Sequence, residues 1–423
     1  MNHRLFDYIA ASPTAYHAVA HTAALLRAEG YTELCEGDAW KLDRGGRYFV
    51  TRNGSSLIAF RIPEAEFDGF MITAAHGDSP CFKIKENATL ADSHHVRLST
   101  EKYGGMLCAS WMDRPLSVAG RITVRTENGI AAKTVDLARP VAIIPNVAIH
   151  MNRSANDGMK YNPAVDMLPL VSTVEERTLS AQIAEAAGVE EKEILTTDLF
   201  IYNPDRGVEW NDLISAPRLD DLQCAFASLM AFTEAKAENG LPVYCLFDNE
   251  EVGSTTKQGA ASTFLYDVLT RIVTDPLTYR RKIADSFLVS CDNAHAVHPN
   301  HPEYSDRNHS VYMNGGIVIK YNANQKYTTD AISAGIFRLI CEKADVPVQE
   351  YANRADMPGG STLGNIANTQ VSLNTVDIGL PQLAMHSAFE TAGARDTAYM
   401  VRALKCFYES SLTMENDGSY KLK

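Results

Sequence analysis

The sequence predicts an α/β fold in which a mostly parallel central sheet is flanked by helices and a second, β-rich unit is inserted. Three observations predict this class. Continuous apolar runs of strand-forming residues stop at a histidine or an acid, helical patterns lie between those runs, and the middle of the chain changes to short strands and turns. Apolar strands that alternate with helices are typical of a sheet covered on both faces.

Three of the apolar runs predict buried strands that end in polar residues. They are "GFMITAAHGDSP", ending at His76 and Asp78; "VYCLFDNEE", ending at Glu250 and Glu251; and "SFLVSCDNAH", ending at Asp292 and His295. In open α/β sheets, ligands bind beyond the carboxyl ends of the strands. The sequence therefore predicts a functional site at this edge of the sheet.

The segments between and after these runs predict helices. Residues 221–239 place Leu222, Phe226 and Leu229 at helical spacing, and residues 329–344 show the same pattern behind a threonine and an acid. The segment "TAYMVRALKCFYESSL" predicts a helix near the end of the sequence. These helices would cover the faces of the sheet.

The middle of the chain predicts a different unit. Between 116 and 149, the segments "GRITVRT", "ENG" and "KTVDL" predict a hairpin, and the apolar run "PVAIIPNVAIH" follows. Since 423 residues exceed the ~250–300 at which single cores stop growing, two domains are expected. We expect an inserted β-rich domain at 79–205 and a discontinuous domain formed by 1–78 and 206–423.

Charge and composition exclude several classes of partner. A net charge of −13 argues against a nucleic-acid partner, because such proteins need a basic face. No apolar run approaches the ~20 residues of a membrane span, and the first twenty residues lack a signal-peptide core. The eight scattered cysteines fit reduced thiols better than a disulfide framework. We expect a cytoplasmic protein without a membrane partner.

The polar residues near the strand and helix ends supply candidate metal ligands: His76, Asp220, Glu250, Glu251, Asp292 and His386. Two imidazoles with several carboxylates offer the mixed nitrogen and oxygen ligands that Zn²⁺ accepts, and one aspartate can bridge two ions. The residue types alone leave an alternative open, in which these are solvated surface acids and core histidines. Asp248 has no assigned role.

Six segments together resemble the aspartyl aminopeptidase family of dinuclear zinc exopeptidases: "AAHGDSPCFKIK", "SAPRLDDLQ", "FDNEEVGS…QGA", "DNAHAVHPNH", "DMPGGSTLGN" and "LAMHSAFETAG". Their order and spacing match that family over nearly the whole chain. The resemblance implies a zinc-exopeptidase-like fold with an inserted dimerisation domain. It also implies a metalloaminopeptidase that removes an N-terminal residue, preferably Asp or Glu, from peptides with a free N-terminus.

The resemblance implies two Zn²⁺ ions per subunit, with Co²⁺ or Mn²⁺ as possible substitutes. His76 and Asp292 would hold one ion and Glu251 and His386 the other, while Asp220 would bridge them.

Glu250 would act as the general base, taking a proton from the attacking water and passing it to the leaving amine, and Asp78 would orient His76. If the helix start is shifted by one residue, Asp221 becomes the bridge; Asp220 is favoured.

Substrate recognition is implied for four further residues. Lys320 would pair with the acidic side chain of the substrate, with Tyr327 and His295 nearby, although without the resemblance a surface lysine is the simpler interpretation. His150 would reach the active site of a neighbouring subunit. The resemblance implies dimers that assemble further into a tetrahedral dodecamer. Two alternatives remain: an aminopeptidase of broad or neutral preference, and a catalytically silent assembly or cargo protein.

Overall fold

The computed structural model describes residues 1–173 and 178–423. In this part of the chain the helices are α1 (Asn2–Ala10), α2 (Ala15–Ala28), α3 (Leu179–Ala187), α4 (Leu219–Glu234), α5 (Phe264–Ile272), α6 (Pro276–Ala284), α7 (Ala331–Lys343), α8 (Leu363–Ala367) and α9 (Asp396–Glu409). No helix among these residues is both long and apolar enough to cross a membrane.

The strands in the same residues are β1 (Thr32–Leu34), β2 (Arg47–Arg52), β3 (Ser56–Arg61), β4 (Phe70–His76), β5 (Cys81–Ala91), β6 (Val96–Tyr103), β7 (Ser117–Thr126), β8 (Gly129–Asp136), β9 (Leu170–Ser172), β10 (Ile194–Tyr202), β11 (Val208–Trp210), β12 (Leu213–Ala216), β13 (Leu241–Phe247), β14 (Phe287–Cys291), β15 (Ala294–His295), β16 (Ile317–Tyr321), β17 (Val348–Ala352), β18 (Asn374–Gly379), β19 (Pro381–Leu383), β20 (Glu390–Gly393), β21 (Leu412–Asn416) and β22 (Ser419–Leu422).

The largest sheet in the described residues has nine strands in the order β1-β2-β3-β13-β4-β14-β18-β16-β17. Its centre is parallel, since β4 pairs in parallel with β13 and β14, and β14 pairs in parallel with β18. Strands β2, β3 and β13 form antiparallel pairs on one side of this centre, and β16 pairs antiparallel with β18 on the other. The predicted α/β class with a mostly parallel central sheet is confirmed.

Both faces of this sheet are buried at its centre, which explains why β4, β13 and β14 are mainly apolar. Tyr244 and Leu246 of β13 join a hydrophobic cluster with α1, α2, α4, α7 and α9, whereas Val243 and Cys245 join a second cluster with α5 and α8. Alternate side chains of one strand point to opposite faces. A charged residue inside β4, β13 or β14 would be buried on either face, and the charged residues of these segments stand at or just after the strand ends.

The predicted helices are present with shifted ends. The helix expected at 221–239 is α4, which ends at Glu234, and the one expected at 329–344 is α7, capped by the Asp330 side chain on the Ser333 amide. The segment near the end of the chain forms α9. Helix α4 lies against both the sheet and α9 and is buried on all sides over most of its length.

A second sheet lies between Cys81 and Tyr202 and in the described residues contains six strands, ordered β8-β7-β10-β5-β6-β9. The predicted hairpin is β7 and β8, paired from Thr126 with Gly129. The run "PVAIIPNVAIH" was expected to continue the strands, but its described residues make only isolated bridges. This sheet has a hydrophobic cluster of its own, and its role in dimerisation stays a prediction.

A smaller sheet of five described strands, β11-β12-β20-β19-β15, lies beside the carboxyl ends of the central strands. Its strand β20 begins at Glu390. Strands β21 and β22 form a separate hairpin after α9. The eight cysteines are free thiols, as the sequence indicated.

Candidate metal centre

The carboxyl ends of three neighbouring parallel strands bring most of the predicted ligands together. His76 is the last residue of β4 and pairs with Phe247, the last residue of β13. A 3₁₀ turn, Glu250–Val252, follows β13 after two residues, and Asp292 directly follows β14. Because parallel strands end at the same edge of a sheet, residues far apart in sequence meet there.

Asp220 lies between the two candidate histidines. Its Oδ1 is 3.5 Å from His76 Nε2, and its Oδ2 is 3.4 Å from His386 Nε2. Asp220 stands in the first turn of α4 with a backbone that is not helical (φ −84°, ψ 107°), and a cis peptide bond joins it to Asp221. One carboxylate oxygen toward each imidazole is the arrangement that a bridging ligand requires.

Two groups of three ligand atoms share Asp220. His76, Asp220 and Asp292 form one group, and Asp220, Glu251 and His386 form the other, with the atoms of each group within 4.8 Å of one another. A third group joins His76 to Glu250 and Glu251. The structure therefore brings all six candidate ligands into one centre, and Glu250 lies close enough to share it.

The donor set fits Zn²⁺, and the unpaired oxygen atoms support this. Asp220 Oδ1 and Glu251 Oε1 are buried and have no hydrogen-bond partner in the described part of the chain. Burial raises the pKa of Glu250 to about 8 and holds the pKa of the Glu251 carboxyl well above its usual range. A nearby cation offsets the cost of ionising such buried, crowded carboxylates. A set of nitrogen and oxygen ligands is also one that Zn²⁺ accepts.

The histidines already interact strongly with the acids. Burial alone would lower the pKa of His76, but its contacts with Asp220 and Asp78 raise that pKa well above the usual value. Burial opposes ionisation of Asp220 as well, yet His386 and His76 hold the pKa of Asp220 below its usual range. Each imidazole is therefore held in an anionic environment that a metal ion would share.

Asp78 organises the turn that carries both glutamates. His76 Nδ1 lies 3.0 Å from the Asp78 carbonyl oxygen and 3.4 Å from its Oδ1. The Asp78 carboxylate also accepts the backbone N–H groups of Glu250 and Glu251, both at 3.2 Å. Sequence reasoning identified the first contact and missed the second, which joins residues more than 170 positions apart in the chain.

Asp221, the alternative bridge, points elsewhere. Its Oδ2 accepts the backbone N–H of His76 at 3.2 Å, and its side chain is completely buried. Burial raises the pKa of Asp221 well above its usual range. Two of the three groups of ligand atoms found in the described residues contain Asp220, and none of the three contains Asp221. Asp220, and not Asp221, therefore lies between the two candidate histidines, and its role as a bridge stays a prediction.

Sequence reasoning also missed Glu390, which links Asp220 to His386. Glu390 is buried, and its carboxylate accepts the backbone N–H groups of Asp220 (3.0 Å) and His386 (2.7 Å). Burial, followed by Asp220, raises the pKa of Glu390 to about 8. The available signal was an acid in the otherwise uncharged segment "LAMHSAFETAG".

The predicted substrate residues lie beside Asp292. The Lys320 side chain is buried, and its ammonium group donates to the carbonyl of Asp292 at 2.8 Å and stands 3.5 Å from Asp292 Oδ2. The ammonium also lies 5.1 Å from the centre of the Tyr327 ring. Burial opposes its charge, but Asp292 and Tyr327 raise the pKa of Lys320. His295 stacks edge-on against Tyr351 at 6.1 Å between ring centres.

His150 is the predicted residue that this chain does not bring to the centre. It lies on an exposed turn of the β-rich unit, among the exposed apolar side chains Val147, Ile149 and Met151. Asp248, which had no assigned role, is buried and accepts hydrogen bonds from the Asn249 amide and from Gln258.

Comparison with known proteins places nearly the whole chain in one family. The model of the aminopeptidase I zinc metalloprotease (M18) family matches residues 8–408. The chain is 43% identical over 422 residues to a probable M18 family aminopeptidase 2 of Clostridium novyi (strain NT), covering 96% of this chain and 97% of that protein. It is 42% identical over 423 residues to a protein of the same name in Pseudomonas aeruginosa (strain LESB58), with 97% and 98% covered.

Solved structures share the fold. A chain in the cryo-EM structure of the Ape4 and Nbr1 complex superposes with a TM-score of 0.93 at 34% identity, covering 96% of this chain and 85% of that chain. The S. cerevisiae mApe1 dodecamer has a TM-score of 0.85 at 26% identity, with 96% and 95% covered. These likenesses extend over both the central and the β-rich sheets.

Proposed function

Because this chain belongs to the M18 family of zinc aminopeptidases, we propose that it uses two Zn²⁺ ions to release N-terminal Asp or Glu from peptides. One observation carries the dinuclear site: the two carboxylate oxygens of Asp220 lie 3.5 and 3.4 Å from the imidazole nitrogens of two different histidines. A site for one ion would not need a carboxylate between two imidazoles.

The ligands divide into two sets around Asp220. His76 and Asp292 would hold one ion with Asp220, and Glu251 and His386 would hold the other, as the two groups of ligand atoms suggest. When bound, Zn²⁺ supplies Lewis-acid polarisation of the scissile carbonyl group and stabilises negative charge on its oxygen. Co²⁺ or Mn²⁺ would suit the same nitrogen and oxygen donors as substitutes.

Glu250 is the proposed general base. Its side chain is half-buried beside His76 and Glu251, and the Asp78 carboxylate holds its backbone amide. Glu250 would take a proton from the attacking water and deliver it to the nitrogen of the leaving peptide. The bond from the terminal residue's carbonyl carbon to that nitrogen breaks as the water oxygen bonds to the carbon.

Lys320 is proposed to select the acidic side chain. It is a buried cation beside Asp292 in a protein of net charge −13, and Tyr327 and His295 lie on the same side of the centre. The contact of Lys320 with Asp292 supports a second role, in which the ammonium orients this ligand. The alternative is a broad or neutral preference for the N-terminal residue. Comparing the turnover of peptides with different N-terminal residues distinguishes it from an acidic preference.

Assembly is proposed from the β-rich unit, taken as residues 79–205 inserted between 1–78 and 206–423. Its exposed apolar side chains around His150 would be covered in a dimer, and His150 would then reach the partner's active site. The mApe1 of S. cerevisiae forms a dodecamer, which supports a larger, tetrahedral assembly here. We place the protein in the cytoplasm, with peptides as substrates and without nucleic-acid or membrane partners.

A panel of peptides that differ only in the N-terminal residue tests this function, assayed before and after chelation and metal return. We expect two Zn²⁺ per chain, loss of turnover after chelation, recovery with Zn²⁺, Co²⁺ or Mn²⁺, and fastest turnover of Asp and Glu peptides. If Leu peptides are hydrolysed as fast as Asp and Glu peptides, the proposed acidic preference is wrong, whereas the proposed metal-dependent hydrolysis still holds. No turnover with two ions bound would favour a silent assembly protein.

A further inference from the structure

A short segment of the β-rich unit lies against the ligands proposed for the second ion. This segment, residues Tyr103–Leu107, is called the strap below; it begins at the last residue of β6 and reads "YGGML". It contains no carboxylate or imidazole, so it cannot supply a ligand of the kind used elsewhere in the centre. Its contacts are nevertheless with Glu251 and His386.

The first contact is the packing of Gly104 on Glu251. Gly104 has φ +73°, and a Cβ atom added to it would lie 3.1 Å from Glu251 Cβ and 3.3 Å from Glu251 Oε2. Glycine adopts positive φ without strain and lets another group approach its backbone. The absence of a side chain at Gly104 therefore sets how far the Glu251 carboxylate can turn toward the strap.

The second contact holds His386 in a conformation that non-glycine residues seldom adopt. His386 has φ +66°, and such residues persist where their surroundings determine them. The backbone N–H of Leu107 donates to the His386 carbonyl at 3.1 Å, and a Cβ atom added to Gly105 would lie 3.9 Å from His386 Nδ1. The strap thus holds the backbone of His386 and lies beside its ring, while Glu390 accepts its N–H.

The third contact connects the strap to the glutamate turn. The Tyr103 hydroxyl donates to Asp78 Oδ2 at 2.7 Å and accepts from Asn249 Nδ2 at 2.9 Å. The same Asp78 oxygen accepts the backbone N–H of Glu251. One end of the strap therefore holds the backbone of Glu251, and its other end holds His386.

We propose that the strap is a positioning element for one half of the metal centre, so that the β-rich unit sets the affinity for the second ion without supplying a ligand to it. The inference rests on the proposed dinuclear site. His76 and Asp292, the ligands assigned to the first ion alone, have no direct contact with the strap among those described above. His76 meets Asp78 at its carbonyl oxygen and Oδ1, whereas Tyr103 donates to the other carboxylate oxygen, Oδ2. Substitutions in the strap should therefore lower the affinity for one ion more than the affinity for the other.

The test is a Zn²⁺ titration of the full chain, stripped with a chelator, by calorimetry or equilibrium dialysis. Gly104→Ala places a methyl group against Glu251. Gly54→Ala is the matched control, because Gly54 also has positive φ (+66°) but has open space around an added Cβ. Tyr103→Phe is a second, milder variant that removes only the hydroxyl group, which keeps the test valid if Gly104→Ala does not fold.

We expect two ions per wild-type chain and per Gly54→Ala chain. In Gly104→Ala and Tyr103→Phe one ion should bind as before, and the affinity for the other should fall by about 10–100-fold, the usual effect of removing support from a ligand. If both variants bind both ions with wild-type affinity, the proposed role of the strap is refuted and the proposal of a dinuclear site is unaffected. If the wild-type chain binds fewer than two ions, the proposal of a dinuclear site is refuted. The proposed role of the strap, which depends on that site, is then refuted too.

Discussion

Asp78 Oδ1 lies 3.2 Å from the backbone nitrogen of Glu250, so the acid beside His76 also fixes the start of the glutamate turn. The two residues come from the ends of neighbouring parallel strands, β4 and β13. A single carboxylate thus sets the distance between a candidate metal ligand and the candidate base. The neighbouring residues Glu250 and Glu251 both donate their backbone N–H groups to the Asp78 carboxylate. The segment after β13 is therefore not simply a solvated loop.

Replacing Asp78 with Asn should weaken metal binding and turnover together. An amide has one acceptor oxygen, so it cannot serve both glutamate N–H groups and Tyr103 as the carboxylate does. We expect Zn²⁺ affinity and kcat to fall by about 10–100-fold, measured by titration and peptide hydrolysis.

The control for this change is Asp92→Asn. Asp92 also accepts two backbone N–H groups, those of His94 and His95, but it lies on the exposed surface of the β-rich unit. This variant should bind Zn²⁺ like the wild type. Unchanged Zn²⁺ affinity and kcat in Asp78→Asn would show that the turn holds its geometry without this acceptor.

Replacing Glu250 with Gln should separate chemistry from metal binding. The amide is nearly the same size but cannot accept the proton of the attacking water, and general bases contribute about 10²–10⁴-fold. We expect kcat to fall by that factor while the metal content measured by elemental analysis stays at the wild-type value. Exposed Glu238→Gln is the control. Full activity in Glu250→Gln would refute the base assignment, and loss of one ion would make Glu250 a ligand.

The positions of the ligands could be predicted because the sheet is buried on both faces. The strands that lead to His76 and Asp292 carry no charged residue before these two, so the sequence marks both the strands and the edge where ligands collect. The helices could be predicted for the same reason, since α4 and α7 carry long apolar patterns with an acid near the start.

Contacts that support the ligands could not be predicted in this way. Glu390 accepts a hydrogen bond from Asp220, 170 positions away, and Tyr103 donates one to Asp78, 25 positions away, and no periodic pattern records such bonds. The apolar residues after Pro140 serve the core of the β-rich unit and make only isolated bridges. Apolar composition indicates burial, whereas a strand also needs a neighbour with free backbone groups.

Replacing Lys320 with Gln should test its two roles in one assay. Hydrogen bonds to charged groups contribute roughly 1.5–3 kcal/mol, so loss of the cation should lower kcat/KM for Asp and Glu peptides by about 10–100-fold relative to Leu peptides. If Lys320 mainly orients Asp292, all peptides should slow equally and Zn²⁺ affinity should fall. Exposed Lys326→Gln, from the same segment, is the control and should change neither quantity. If Lys320→Gln keeps the wild-type order of preference among Asp, Glu and Leu peptides, the proposed role of Lys320 in substrate selection is refuted.

His150→Ala should reveal whether the active site is completed by a partner subunit. We expect low turnover in this variant with unchanged assembly, measured by light scattering, because His150 lies on an exposed turn of its own chain. Exposed His298→Ala should stay active. Co-expression of His150→Ala with Glu250→Gln chains is decisive. In a two-fold dimer, an intact Glu250 can then receive His150 from the other chain, which should restore roughly a quarter of wild-type activity. Mixed assemblies that stay inactive would place the action of His150 outside the partner's site.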